Sequence, residues 1–179
     1  MSKSIFVIGG CRSGKSRHAM KLADAVGGKK VFIATCVPQD EEMNQRVAHH
    51  RSERGGGWET VEAPLDLAAA IADGAKRADV VLADCLTLWA SNLLLAETDP
   101  ENSHIIAALS ELVSAIDEAA CPVILVSNEV GAGIVPENRL ARLFRDEVGR
   151  INQQVAAAVD QVIWMVAGIP MTIKPERAP

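Results

Sequence analysis

A chain of 179 residues is long enough to bury a substantial core and fits one domain best. Apolar residues make up 49% and charged residues 23%, and no apolar run approaches the length needed to cross a membrane. The net charge of −5 argues against a nucleic-acid partner, which would call for a broad basic surface.

Taken in chain order, Ser4–Gly9 is predicted as a strand apolar enough for the middle of a parallel sheet. A helix follows from Lys15 to about Val26, with Ala19, Leu22, Ala23 and Val26 on one face, and Gly27-Gly28 stops it. Lys30–Thr35 reads as the second strand. Pro38-Gln39-Asp40 opens a helix over roughly Asp40–Arg54, with Met43 and Val47 on its buried side, and Gly55-Gly56-Gly57 closes it. Trp58–Glu62 is predicted as a short strand, Asp66–Ala75 as an Ala-rich helix and Val80–Asp84 as a buried strand ending in a carboxylate. Helices are expected over Thr87–Leu95 and about Glu101–Ala119. Val123–Ser127 is a strand ending in Asn128-Glu129, and Glu137–Asp160 is mostly helical, with Gly149 a candidate break. Gln161–Val166 is the last clear strand, and Gly168–Lys174 adds a short edge. Strand alternating with helix implies an α/β protein with a mostly parallel sheet flanked by helices.

Four stretches carry chemistry. Gly9-Gly10-Cys11-Arg12-Ser13-Gly14-Lys15-Ser16 lies between the first strand and first helix and fits the phosphate-loop pattern. Glycines let backbone N–H groups cradle phosphate oxygens, and the helix N-terminus adds donors and partial positive charge. Lys15 can then reach the β/γ-phosphates, and the Ser16 hydroxyl can join a Mg²⁺ shell. The loop predicts the P-loop NTPase fold class, taken in its recombinase-like form, with a nucleoside triphosphate as ligand. Asp84 sits where such proteins hold a metal-side carboxylate, although a strand-ending Asp also serves as a plain turn former. Glu62 and Glu129 are further carboxylates at strand ends, which line the ligand crevice of a doubly wound sheet.

The third stretch runs from Arg46 through His49 and His50 to Arg54. On a helix Arg46, His50 and Arg54 share one stripe, whereas His49 falls with Gln45 and Glu53. An imidazole between guanidinium groups suits attack on a phosphate, the cations lowering its pKa and neutralising phosphoryl charge. A solvated charged helix face accounts for the same residues equally well. The fourth stretch, Asn128 to Pro136, is a Gly-punctuated loop leading to a helix with Arg139, Arg142, Arg145 and Arg150. It reads either as functional or as a surface connection. Cys11, Cys36, Cys85 and Cys121 lie far apart with no paired spacing, so neither zinc nor disulfides are expected. A free thiol at Cys11 and an N-terminus with no cleavable signal pattern predict a cytoplasmic protein.

These blocks, in this order, resemble the bifunctional adenosylcobinamide kinase / adenosylcobinamide-phosphate guanylyltransferase family of cobalamin biosynthesis. The similarity runs over nearly the whole chain. It takes in Gly9–Arg17, Arg46–Arg54 on to Trp58 and Glu62, and Asp84-Cys85-Leu86-Thr87 with Asn92. It continues through Ser127–Gly131 and Ile134-Val135-Pro136 to Phe144-Arg145-Asp146, Gly149, Asn152-Gln153 and Ala167-Gly168. The resemblance implies two reactions: phosphorylation of adenosylcobinamide by ATP or GTP, then GMP transfer from GTP to adenosylcobinamide-phosphate through a GMP–histidine intermediate. It maps the nucleophile onto His50, with Lys15 as the other catalytic residue. Nucleotide contacts are implied at Gly9–Ser16 (Gly9, Gly10, Cys11, Arg12, Ser13, Gly14, Lys15 and Ser16) and at Ala34, Thr35 and Cys36. Further contacts are implied at Arg51, Ser52, Glu53, Arg54, Glu62 and Asp84, with Ser16 and Asp84 on the Mg²⁺ side. It also implies a homotrimer. Cys11 departs from the family, which often has Ala there. Three other classes stay in view: a plain small-molecule kinase, a regulatory nucleotide switch, and a recombinase-like ATPase needing a polymer partner that the acidic balance disfavours.

Overall fold

The computed structural model describes residues 4–37, 57–96 and 104–175. The first strand, β1 (Ser4–Gly9), is buried at all six positions, as its unbroken apolar run requires. It feeds helix α1 (Lys15–Val26), which buries Ala19 and Ala23, and then β2 (Lys30–Ala34). The predicted helix over Asp40–Arg54 lies outside the described residues. Next come β3 (Trp58–Glu62), α2 (Leu67–Gly74), β4 (Val80–Asp84) and α3 (Leu86–Ala96). Helix α4 (Ile105–Glu118), β5 (Val123–Asn128), α5 (Arg139–Ala158), β6 (Gln161–Val166) and β7 (Ile169–Lys174) complete the order.

Seven strands form one sheet in the order β3-β2-β4-β5-β1-β6-β7. All pairs are parallel except β6 with β7, so the predicted edge is an antiparallel return. Strand alternation divides the core in two. Ile5, Val7, Phe32, Leu82, Ile124 and Val126 face α1 through Ala19 and Ala23. Phe6, Ile8, Ile33, Val81 and Leu125 face the opposite way, against the buried sides of α2, α3, α4 and α5, among them Ile71, Trp89, Leu112 and Ile151. Each such buried side chain contributes about 1.5–3 kcal/mol by leaving water.

Helix α5 runs through the candidate break at Gly149 without interruption. The amphipathic face of Val148, Ile151 and Val155 is buried and holds the helix through that position. At its far end the Lys174 ammonium donates to the carbonyls of Ala156, Ala157 and Val159. A cation placed there satisfies orphan acceptors and opposes the helix dipole.

Candidate functional site

Because β1, β2, β4 and β5 run in parallel, their C-terminal ends meet at one edge of the sheet, where open α/β sheets bind ligands. The phosphate loop rises from β1 at that edge. Gly14 has φ of 90°, a left-handed conformation natural to glycine, and Arg12 has φ of 55°. At Gly9 a Cβ would lie 2.7 Å from both the Met165 carbonyl oxygen and Ser13 Oγ, so no side chain fits. The loop closes on itself by Ser13 N–H to the Gly10 carbonyl (3.3 Å) and on the β6–β7 turn by Gly168 N–H to the Ser13 carbonyl (3.1 Å). That turn uses positive φ at Ala167 and Gly168. Inside it, Ser13 Oγ is buried without a hydrogen-bond partner, as befits a cradle built to receive further polar atoms. The Lys15 ammonium folds back to the Gly10 carbonyl at 3.1 Å, across the mouth of the loop.

Register places the other strand ends. Glu62, Ala34 and Asp84 lie side by side across β3, β2 and β4, and Asn128 lies beside Gly9 across β5 and β1. Alternation turns Gly9, Ala34, Glu62, Asp84 and Asn128 toward the α1 face. Asp84 is two strands from β1, roughly 10 Å at the usual strand spacing, within reach of a ligand seated on the loop. Glu62 is four strands away, roughly 19 Å, on the sheet's edge. Of the implied contacts, Gly9–Ser16, Ala34-Thr35-Cys36 and Asp84 therefore gather at the crevice, and Glu62 stands apart from the loop. His50, Arg51, Ser52, Glu53 and Arg54 lie outside the described residues.

Electrostatics ties Asp84 to its surroundings. Burial, then the Asp84 carboxylate, pushes the Cys85 thiol up to about 12, while the Lys15 charge pulls it slightly back. The same two causes raise Cys36. A thiol so placed stays protonated and inert. The Thr35 hydroxyl donates to the Cys85 carbonyl and accepts from its N–H, both at 2.8 Å, locking β2's end to the β4–α3 junction.

Several polar side chains hold the crevice together, and one of them, Asn92, entered above only as part of the resemblance. Asn92 donates to the carbonyls of Thr35 (2.7 Å) and Pro64 (3.0 Å), joining the exits of β2 and β3. Trp89 Nε1 donates to the Leu65 carbonyl at 2.7 Å. Arg142 and Arg145 donate to carbonyls of the loop after β5, at Pro136, Glu137 and Gly131. The sequence signal was a polar residue set into a helix whose neighbours are core residues. Among the described residues no group of three or more His, Cys, Asp or Glu side chains forms a metal cluster, and no helix is long and apolar enough to cross a membrane.

Comparison with known proteins bears on the whole chain. The family model described as cobinamide kinase / cobinamide phosphate guanyltransferase matches residues 5–173. The bifunctional adenosylcobalamin biosynthesis protein CobP of Pseudomonas aeruginosa is 42% identical, over 95% of this chain and 96% of that protein. The protein of that description named CobU in Salmonella typhimurium is 44% identical, over 95% and 99%. Among solved structures, the RadB recombinase superposes with a TM-score of 0.54 at 16% identity, over 90% of this chain and 73% of that one. An ATPase of a bacterial type III secretion system gives 0.56 at 11%, over 95% and 56%. Identities this low speak to fold alone, and the fold is the recombinase-like P-loop type. A match running from β1 into β7 leads to one conclusion: the chain belongs to the cobinamide kinase / cobinamide phosphate guanyltransferase family of enzymes.

Proposed function

We propose that this chain, as one domain, phosphorylates adenosylcobinamide with ATP or GTP and then converts adenosylcobinamide-phosphate to adenosylcobinamide-GDP with GTP. The observation that carries the proposal is the phosphate loop with Lys15 at its mouth and Asp84 on the same face of the sheet. In the first reaction the substrate hydroxyl oxygen attacks the γ-phosphorus and loses its proton, and the nucleoside diphosphate leaves. Lys15 and the loop N–H groups stabilise the charge spread over the phosphoryl oxygens. Ser16 and Asp84 supply hard oxygen donors suited to Mg²⁺, which would neutralise phosphate charge when bound.

In the second reaction the neutral imidazole of His50 attacks the α-phosphorus of GTP and pyrophosphate leaves. An oxygen of adenosylcobinamide-phosphate then displaces the imidazole from GMP. Two displacements replace one, the usual gain of covalent catalysis. The stripe that Arg46, His50 and Arg54 would share on the helix expected from the sequence supports His50 over His49. Ala34, Thr35 and Cys36 at the crevice, together with Arg51, Ser52, Glu53, Arg54 and Glu62, complete the proposed GTP contacts.

The proposal includes a cytoplasmic homotrimer. An apolar surface on β6 and β7 supports association between copies: Trp164, Val166, Ile169, Met171 and Ile173 are each 40–64% exposed. Sedimentation at micromolar concentration would report a trimer mass, and a monomer would remove that element.

GTP labelled at the α-phosphate tests the chemistry. Wild type and His49→Ala should carry an acid-labile, base-stable adduct, and His50→Ala should carry none. Labelling that survives His50→Ala removes His50 as nucleophile, and no labelling of wild type reduces the protein to a plain kinase.

A further inference from the structure

We infer that the Asn128 carboxamide faces the terminal phosphate of the bound nucleoside triphosphate, and that Thr87 and Asn152 are positioning residues that hold it there. Strand β5 runs past its neighbour. Asp84, the last residue of β4, pairs with Val126, and the chain then turns away into α3. Asn128 is thus left without a strand on that side. In a strand the N–H and C=O of one residue point the same way, so both of its backbone groups would be orphaned in a part-buried place. Two side chains from different helices take the missing strand's part. Asn128 N–H donates to Thr87 Oγ1 of α3 at 2.7 Å, and its carbonyl accepts from Asn152 Nδ2 of α5 at 3.1 Å. The Thr87 hydroxyl is itself fixed by Ser127 Oγ at 3.2 Å. On the other side the ladder continues, with Glu129 N–H to the Gly9 carbonyl at 3.1 Å.

The clamp is well buried, with Thr87 at 6% and Asn152 at 7% exposure. Its consequence is directional. Asn128 shares the α1 face with Gly9, its register partner, and with Asp84 across the step. Its side chain therefore stands between the start of the phosphate loop and the Asp84 carboxylate, one strand spacing, about 4.8 Å, from Gly9. Among the described residues that carboxamide makes no hydrogen bond. The Lys15 ammonium lies on the loop side of that space, on the Gly10 carbonyl. A neutral donor there can hydrogen-bond a phosphoryl oxygen without adding charge beside Asp84.

This inference rests on the nucleotide occupying the phosphate loop, so its test separates the two. Affinities for a non-hydrolysable GTP analogue and for GDP are measured on wild type, Asn128→Asp, Asn128→Ala, Thr87→Val, Thr87→Ser and Asn152→Leu. Wild type should bind both nucleotides. Asn128→Asp should weaken the triphosphate analogue at least tenfold while GDP stays within threefold, because the new carboxylate opposes only the terminal phosphate. Thr87→Val and Asn152→Leu should repeat that split at about threefold to tenfold, and Thr87→Ser should restore wild-type values. Added to Asn128→Ala, Thr87→Val should cost nothing more, as expected of residues acting through one group. Equal losses for GDP and the analogue, or no loss in Asn128→Asp, overturn the inference. Should Asn128→Asp fail to fold, the contrast of Thr87→Val with Thr87→Ser decides by the same ratio. Wild type binding neither nucleotide would overturn the phosphate-loop reading itself.

Discussion

Two glycine-rich loops leave neighbouring parallel strands and lead into helices, and they are held in opposite ways. Gly9–Ser16 is fixed from within and by close packing. It has positive φ at Arg12 and Gly14, a Ser13–Gly10 hydrogen bond, and no room for a Cβ at Gly9. The loop from Asn128 to Glu137 is fixed from outside: Thr87, Asn152, Arg145 and Arg142 reach its backbone from α3 and α5. Its own carboxylate, Glu129, contributes one short internal bond, accepting from Gly131 N–H at 2.6 Å. The first loop is a local code; the second is a tertiary one.

The largest expected effect belongs to the first loop. Lys15→Ala should lower both kinase and guanylyltransferase rates at least about a hundredfold, the scale of losing one charge-stabilising donor, with an unchanged melting temperature. A variant that keeps either rate within tenfold would detach Lys15 from that reaction.

A paired experiment sharpens the contrast. Gly9→Ala pushes a methyl against the Met165 carbonyl and should cost about 1–3 kcal/mol in urea unfolding together with nucleotide affinity. Arg145→Met removes only a remote brace on an exposed loop. It should cost about 1 kcal/mol or less, leave GDP affinity unchanged, and speed proteolysis between Gly131 and Gly133. Equal effects on both measures would erase the distinction.

A smaller effect follows from His18, one turn into α1. Burial, and next Lys21, hold its imidazole below the ordinary 6.5, and its Nε2 is buried without a partner. The unfolded chain then takes up the proton first, so stability should fall as pH drops below 6.5 and level off under the folded value. His18→Gln should flatten that limb in pH-dependent melting, leaving stability at pH 8 nearly unchanged. The smallest is a gain. A Cβ at Gly149 would meet nothing within 4 Å, so Gly149→Ala should stabilise α5 by about 1 kcal/mol in urea unfolding.

The same contrast explains what could be read from the chain. β1, the phosphate loop and α1 are contiguous, and their pattern of apolar run, glycines, Lys15 and amphipathic helix is complete within about two dozen residues. Strands came through well because buried parallel strands leave uninterrupted apolar runs. Gly149 left the run of α5 open because propensity is local, while the face that carries the helix past it is buried by contacts elsewhere. The clamp on Asn128 was invisible for a related reason: its acceptor, Thr87, and its donor, Asn152, lie 41 and 24 residues away. Glu62 and Asp84 both read as strand-ending carboxylates, with Asp84 favoured for the metal side, and strand order then separates the edge from the centre.

The proposal at the centre of this account, phosphorylation of adenosylcobinamide followed by GMP transfer to the product, is tested most directly by incubating the protein with adenosylcobinamide and GTP and resolving the corrinoid products by mass. Wild type should yield the phosphate first and then the GDP adduct, His50→Ala should stop at the phosphate, and Lys15→Ala should yield neither. A wild-type protein that leaves adenosylcobinamide unmodified, or a Lys15→Ala variant that still makes the GDP adduct, would contradict it.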